Sequence, residues 1–209
     1  MEREVLLTGI GGQGVQLAAQ VLARAAVAEG REVTLLGTYG GTMRGGNTDA
    51  CLVAADAAIR TPPIVARAWA AIAMHDRFFA PTGAKLARGS LAFVERALFA
   101  ADAIAALEAR GVRVVAVDAG EVARGAQAPL AAALALAAAF CAATGFAGLE
   151  ALVGAMRECV PSYRQQHVEA NERALRAGFS LADAGGATGA VGAVGGAAPR
   201  AWPVAAGAA

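Results

Sequence analysis

The chain has 209 residues, 57% of them apolar, and a formal net charge of +1. That length suits one sizeable α/β domain with its own core. The near-neutral charge excludes the broad electrostatic field on which nucleic-acid and acidic-surface binders rely. Much of the apolar content is alanine, so helices can pack closely with little side-chain bulk. Cys51, Cys141 and Cys159 are far apart, with no CxxC or histidine-linked spacing. Reduced thiols in a cytoplasmic protein are therefore expected, rather than a metal site or a disulfide framework.

Met1-Glu2-Arg3-Glu4 is charged and runs straight into a strand, with no apolar core and small-residue cleavage site, so no signal peptide is expected. Val5 to Thr8 reads as a buried strand. Gly9 to Gly14 is a glycine turn, and Val15 to Glu29 reads as a helix with Leu17, Val21, Leu22 and Ala25 on one face. Gly30 ends it. Further strands are predicted at Glu32–Leu36, Asp49–Val53, Ala70–Met74, Leu91–Val94 and Val112–Val117, the last entered through a helix at Ala103–Arg110. This alternation predicts a three-layer α/β/α fold with a mainly parallel sheet.

After Pro129 the pattern changes to helices, at Leu130–Ala143, Leu149–Val160 and Tyr163–Ala177. The apolar run 131–143 is too short to span a bilayer, which predicts a buried helix and no membrane role. Residues 1–180 are read as one domain. Residues 181–209 form an Ala/Gly-rich tail that cannot bury enough surface to offset its ordering entropy. Such a tail is expected to be disordered, or laid on a partner through Trp202 and Pro203.

Gly9-Ile10-Gly11-Gly12-Gln13-Gly14 has the G-x-G-x-x-G spacing of a dinucleotide fingerprint. That use needs an acid near the end of the second strand for the ribose hydroxyls. Here Gly37-Thr38-Tyr39 stands at that place, the next basic residue is Arg44, and the first acids are Asp49 and Asp56. The loop also lacks the G-K-[ST] ending of a phosphoryl-transfer loop. Three uses stay open: a structural turn, close contact with another chain, or a different anionic ligand at a helix N-terminus.

A second polar segment, Gly37 to Thr48, follows the second strand. In a parallel sheet it lies at the same edge as the glycine loop, so the two should be neighbours. Arg44 among flexible glycines suits a bidentate pair with a phosphate or carboxylate, or a surface salt bridge to Asp49. Tyr39 suits packing more than stacking on a base. His75-Asp76 follows the fourth strand and reads as a hydrogen-bonded structural pair before an acid/base pair. Asp118 reads as a helix cap, His167 as solvated, and Tyr163-Arg164-Gln165-Gln166 as a polar helix start facing a partner.

The run Gly9 to Val15, then Tyr39 through Met43-Arg44-Gly45-Gly46, then Ile59 and Pro62-Pro63, resembles the gamma subunit of 2-oxoacid:ferredoxin oxidoreductases. The Y-G-x-x-M-R-G-G run is most similar to the 2-oxoglutarate and aryl-glyoxylate branch. Asn171 and Ala174-Leu175 before Gly178 match that family's C-terminal helix, and the resemblance covers Val5 to Gly178. One departure is Ala55-Asp56, where the family often has Ser-Asp.

The resemblance implies the fold of the gamma domain of pyruvate:ferredoxin oxidoreductase. It also implies a part in oxidative decarboxylation of a 2-oxoacid to an acyl-CoA, with electrons passed to ferredoxin or NAD. The chain has no thiamine motif, and three scattered cysteines cannot ligate a four-cysteine cluster. Thiamine diphosphate, magnesium and the iron–sulfur clusters are thus expected on alpha and beta catalytic subunits and a ferredoxin-like subunit. For this chain the resemblance implies a place beside coenzyme A, with Gly11, Gly12, Gln13, Gly14, Arg44, Gly45, Gly46 and Asn47 lining the channel. No catalytic or metal-binding residue is expected. The alternatives are a free-standing nucleotide-binding oxidoreductase domain and a purely structural scaffold.

Overall fold

The computed structural model describes residues 1–39, 45–60 and 62–181. The expectations for Arg44 and for the tail beyond Leu181 fall outside these residues. Six strands form one sheet: β1 (Glu2–Ile10), β2 (Glu32–Tyr39), β3 (Asn47–Ala55), β4 (Ala68–Ala73), β5 (Leu86–Glu95) and β6 (Arg113–Val117), in the order β2-β3-β1-β4-β5-β6. The helices are α1 (Val15–Ala28), α2 (Ala80–Ala84), α3 (Ala101–Ala109), α4 (Ala119–Gly125), α5 (Ala132–Thr144), α6 (Leu149–Cys159) and α7 (Val168–Ser180).

All six predicted strands are present, and the sheet is mainly parallel. The exception is β3, antiparallel to both β1 and β2. The reason is the length of the β2–β3 connection, which is far too short for the dozen or more residues of a parallel crossover. Two short helices, α2 and α4, carry too few residues to show a periodicity. The helix predicted from Tyr163 begins at Val168, because Ser162–His167 winds as a 3-10 turn.

Side chains alternate along each strand and fill two cores. Val5, Leu7, Leu52 and Ile72 pack under α1, α5 and α6, whereas Leu6, Val53, Leu86 and Val94 face the opposite side with Phe79, Phe99 and Leu107. The predicted buried helix is α5, whose residues Ala133 to Cys141 are all buried between the sheet and α7. Alanine makes that double covering possible. Gly178 of α7 lies flat on α5: a Cβ built there would sit 2.7 Å from Ala135 Cα and 2.8 Å from its carbonyl carbon. Trp69, Phe93, Phe140 and Phe146 form an aromatic cluster beneath, with Trp69 and Phe140 edge-on at 5.6 Å.

One buried ion pair ties this layer together. Arg31, between α1 and β2, has a side chain only 2% exposed and sits 3.2 Å from Glu29 Oε2. Its Nη1 also donates to the Phe146 carbonyl. Glu29 Oε1 in turn accepts the Gly148 N–H at 2.6 Å. The α5–α6 connection is thereby fastened to the end of α1. On the surface, Arg157, Glu150, Glu172 and Arg176 link α6 to α7. Such exposed pairs are screened by solvent and add little to stability.

Candidate functional site

β1 and β2 run parallel and end at one edge of the sheet, so the two glycine-rich segments meet there. The Gly11 N–H donates to the Gly46 carbonyl at 2.8 Å, which joins them directly. Gly12 (φ 102°) and Gly14 (φ 83°) hold left-handed conformations that make the turn from β1 into α1. Gln13 folds back: its Oε1 accepts the Ile10 N–H at 2.7 Å. Gln16, which sequence reasoning passed over as an ordinary helix residue, donates from Nε2 to the Asp49 carbonyl at 2.7 Å. The first turn of α1 is thus fixed to the start of β3.

Gly14 caps α1 without a side-chain bond, and no acid stands in the first turn. The positive end of the helix dipole is left unneutralised beside the exposed Gly11 and Gly12. A third segment borders this loop. Leu130, expected inside a helix, lies in a 3-10 turn at Pro129–Ala131, with its carbonyl 3.7 Å from where a Gly14 Cβ would stand. Its side chain is 80% exposed and gives the mouth an apolar border.

The structure brings Gly11, Gly12, Gly14, Gly45 and Gly46 together. Asn47 lies at the same edge, opposite Ile10, and its Nδ2 donates to Asp49 Oδ2 at 2.6 Å. By strand alternation both side chains are on the sheet face away from α1. Gln13 commits its amide oxygen to the loop itself, so its outward contribution is backbone.

His75 and Asp76 have the structural role expected of them. His75 Nδ1 lies 3.0 Å from Asp76 Oδ1 and accepts the Arg77 N–H, while Asp76 Oδ2 accepts the Ala100 N–H. Asp118 is a correction. Its side chain makes no cap and instead accepts Arg96 Nε at 3.1 Å. The cap of α4 comes from Glu95, at the end of β5, whose Oε2 accepts the Gly120 N–H at 2.8 Å. A carboxylate arriving from a strand end to cap a distant helix leaves no local sequence signal.

Burial pushes the Glu95 carboxyl above its ordinary range, against the lowering effect of the Gly120 and Ala97 N–H groups. A carboxyl raised in the folded state binds its proton there at a pH where the unfolded chain does not. Its stabilising effect is therefore present at low pH and lost as pH rises through the folded value. Wild type is expected to gain thermal midpoint relative to Glu95→Gln as pH falls from 7 toward the ordinary carboxyl range. Melting curves of the two proteins across that range check it; parallel curves would contradict it. Cys51, Cys141 and Cys159 are free thiols on separate elements, and burial pushes the Cys141 thiol far up.

Fold and loop arrangement together define a three-layer α/β domain with two glycine-rich segments joined at one edge of its sheet. The family model described as pyruvate ferredoxin/flavodoxin oxidoreductase matches residues 4–181. The gamma subunit of a keto/oxoacid ferredoxin oxidoreductase from Geobacter sulfurreducens is 25% identical, with a TM-score of 0.72 over 88% of this chain and 98% of that one. A pyruvate oxidoreductase subunit from Thermotoga maritima is 22% identical, with a TM-score of 0.69 over 86% and 96%. The 2-oxoglutarate:ferredoxin oxidoreductase from Magnetococcus marinus, solved with 2-oxoglutarate, coenzyme A and succinyl-CoA, is 16% identical, with a TM-score of 0.75 over 88% of this chain and 31% of that one. No curated protein sequence matches. The chain belongs to the pyruvate ferredoxin/flavodoxin oxidoreductase family, and its fold is that of the family's gamma subunits.

Proposed function

We propose that this chain is the gamma subunit of a thiamine-diphosphate-dependent 2-oxoacid oxidoreductase of the 2-oxoglutarate or aryl-glyoxylate type, and that it borders the coenzyme A channel. The observation that carries this is the Gly11–Gly46 hydrogen bond at 2.8 Å. It sets two separated motifs side by side next to the uncapped N-terminus of α1. Coenzyme A is a polyanion, and backbone N–H groups with a positive helix end suit its phosphates. Gly11, Gly12 and Gly14 admit close approach, Gly45, Gly46 and the backbone of Asn47 form the second wall, and Gln13 holds the turn. Arg44, the cation carried by that second segment, is assigned to a phosphate.

Thiamine diphosphate with its magnesium belongs, in this proposal, to alpha and beta partner subunits. The iron–sulfur clusters belong to a ferredoxin-like subunit. Three separate thiols in this chain support that division. Decarboxylation and electron transfer then happen on the partners, and this subunit positions the acyl acceptor and helps hold the assembly together.

The test is Arg44→Ala and Gly11→Ala in the co-expressed complex. A Cβ at Gly11 meets only ordinary contacts, 3.5 Å from the Gly46 carbonyl oxygen and 3.6 Å from the Gly45 nitrogen, so that variant keeps the fold while narrowing the channel. Arg44→Ala is expected to raise the apparent KM for coenzyme A about tenfold, about 1.4 kcal/mol, with assembly and the oxoacid KM unchanged. An unchanged coenzyme A response in both variants would remove the channel assignment. A second reading, the structural scaffold, draws on Gln13 being turned into its own loop; it is favoured if either variant releases the subunit instead. Micromolar NAD(H) or FAD binding by the isolated chain would favour a free-standing nucleotide-binding domain.

A further inference from the structure

β2 pairs with β3 over all eight of its residues, from Glu32 opposite Ala55 to Tyr39 opposite Thr48, without a bulge. Among the described residues no strand lies on its other side. Its outer row of N–H and C=O groups is therefore a template for another strand. Proteins blunt such edges with shortness, proline, lysine or a bulge. β6, at the far edge, is short at five residues and starts on Arg113. β2 has none of these devices; it is longer than most strands and carries one formal charge, Glu32, at its end.

Both faces beside this edge are also open, and each sets apolar side chains beside charged ones. On the α1 side a hollow of about 470 Å³ is lined by Val27, Val33 and Leu35, with Arg24 and Glu158. On the other side a hollow of about 280 Å³ is lined by Leu36, Cys51 and Ile64, with Thr38, Asp49 and Lys85. Val27 is 56%, Leu36 39% and Ile64 76% exposed. A strand added at β2 would send alternate side chains into the two hollows.

We infer that β2 is the contact edge of a homodimer, in which the β2 strands of two copies pair antiparallel and continue one sheet through both. The occupant is a second copy because the edge is complementary to itself. A two-fold axis normal to the sheet keeps α1 of both copies on one face, so like hollows adjoin. Centred on Leu35, it sets Glu32 opposite Thr38 and Leu36 opposite Thr34. The strand's single charge then never meets its own copy. The axis also sends the two glycine loops to opposite edges of the joined sheet, where each stays open to other subunits. This inference is independent of the coenzyme A assignment.

The full chain is expected to sediment at twice 20.8 kDa, with slowed hydrogen exchange along β2 that rises with protein concentration. Leu36→Lys places an ammonium on the seam and should weaken dimerisation at least ~10-fold while leaving circular dichroism unchanged. Leu98→Lys, at an equally accessible leucine beyond β5, should leave the dimer intact. A wild-type chain that stays at 20.8 kDa to about 100 µM overturns the inference. So does a dimer that survives Leu36→Lys, or β2 amides that become protected only when a different subunit is added. If Leu36→Lys fails to fold, the concentration dependence of wild-type β2 exchange still decides: its absence overturns the pairing.

Discussion

Replacing Gly178 by alanine is expected to lower the unfolding free energy by about 3 kcal/mol, the upper end of overpacking costs. For a domain of this size that corresponds to a fall of roughly 6–12 °C in thermal midpoint. The cause is backbone against backbone. The added methyl would lie 2.7 Å from Ala135 Cα, and the facing residue is already alanine, so no side chain can turn away. Relief requires α7 to lift from α5, which uncovers the most deeply buried of the described helices. Gly154, on α6, supplies the control: a Cβ there meets nothing within 4 Å. Gly154→Ala should hold or raise stability, by up to about 1 kcal/mol, from helix propensity alone. Equal losses in the two variants would sink the packing account.

The second large effect is expected at Arg31. Arg31→Met should cost about 3–5 kcal/mol, because it strands Glu29 in a mostly buried site with one cationic partner gone. Glu29 is 14% exposed, and its other oxygen is held by the Gly148 N–H. The double variant Arg31→Met, Glu29→Gln should recover much of that loss, since the uncompensated charge is then absent. Denaturant unfolding of wild type, both single variants and the double variant closes the cycle. If the double variant is as unstable as Arg31→Met, the cost lies in packing against Phe146 and not in the stranded carboxylate.

The regular part of the fold was legible because its signals are local. Val5–Thr8, Glu32–Leu36 and the later strands are short apolar runs bounded by turns, and α1 and α5 carry long helical stretches. The reversed direction of β3 was readable in principle from the short link after Tyr39, yet the alternation of strands and helices outweighed it. At the loop edge, the meeting of Gly11 with Gly46 followed from strand direction alone. What stayed hidden depends on partners far apart in the chain. Gln16 reaches Asp49, Glu95 caps α4 in place of Asp118, and Arg31 closes on Phe146. None of these residues stands in a pattern that marks it, because each is defined by where the sheet delivers its partner. Asn47 shows the opposite case. Its place in the motif was clear, but the alternation of β3 sends its side chain to the far face.

The burial of α5 between the sheet and α7 also sets an order of events during synthesis. Five of the six strands lie before residue 96, and all six before residue 118. Yet α5 shows an alanine-lined outer flank until Val168–Ser180 has been made. At the usual ~5–20 residues per second, the nascent chain spends several seconds with that flank bare. Chains halted before α7 should therefore be the form that chaperones hold and proteases clear. Helix α7 is then the step that commits a newly made subunit to the pool from which complexes are built.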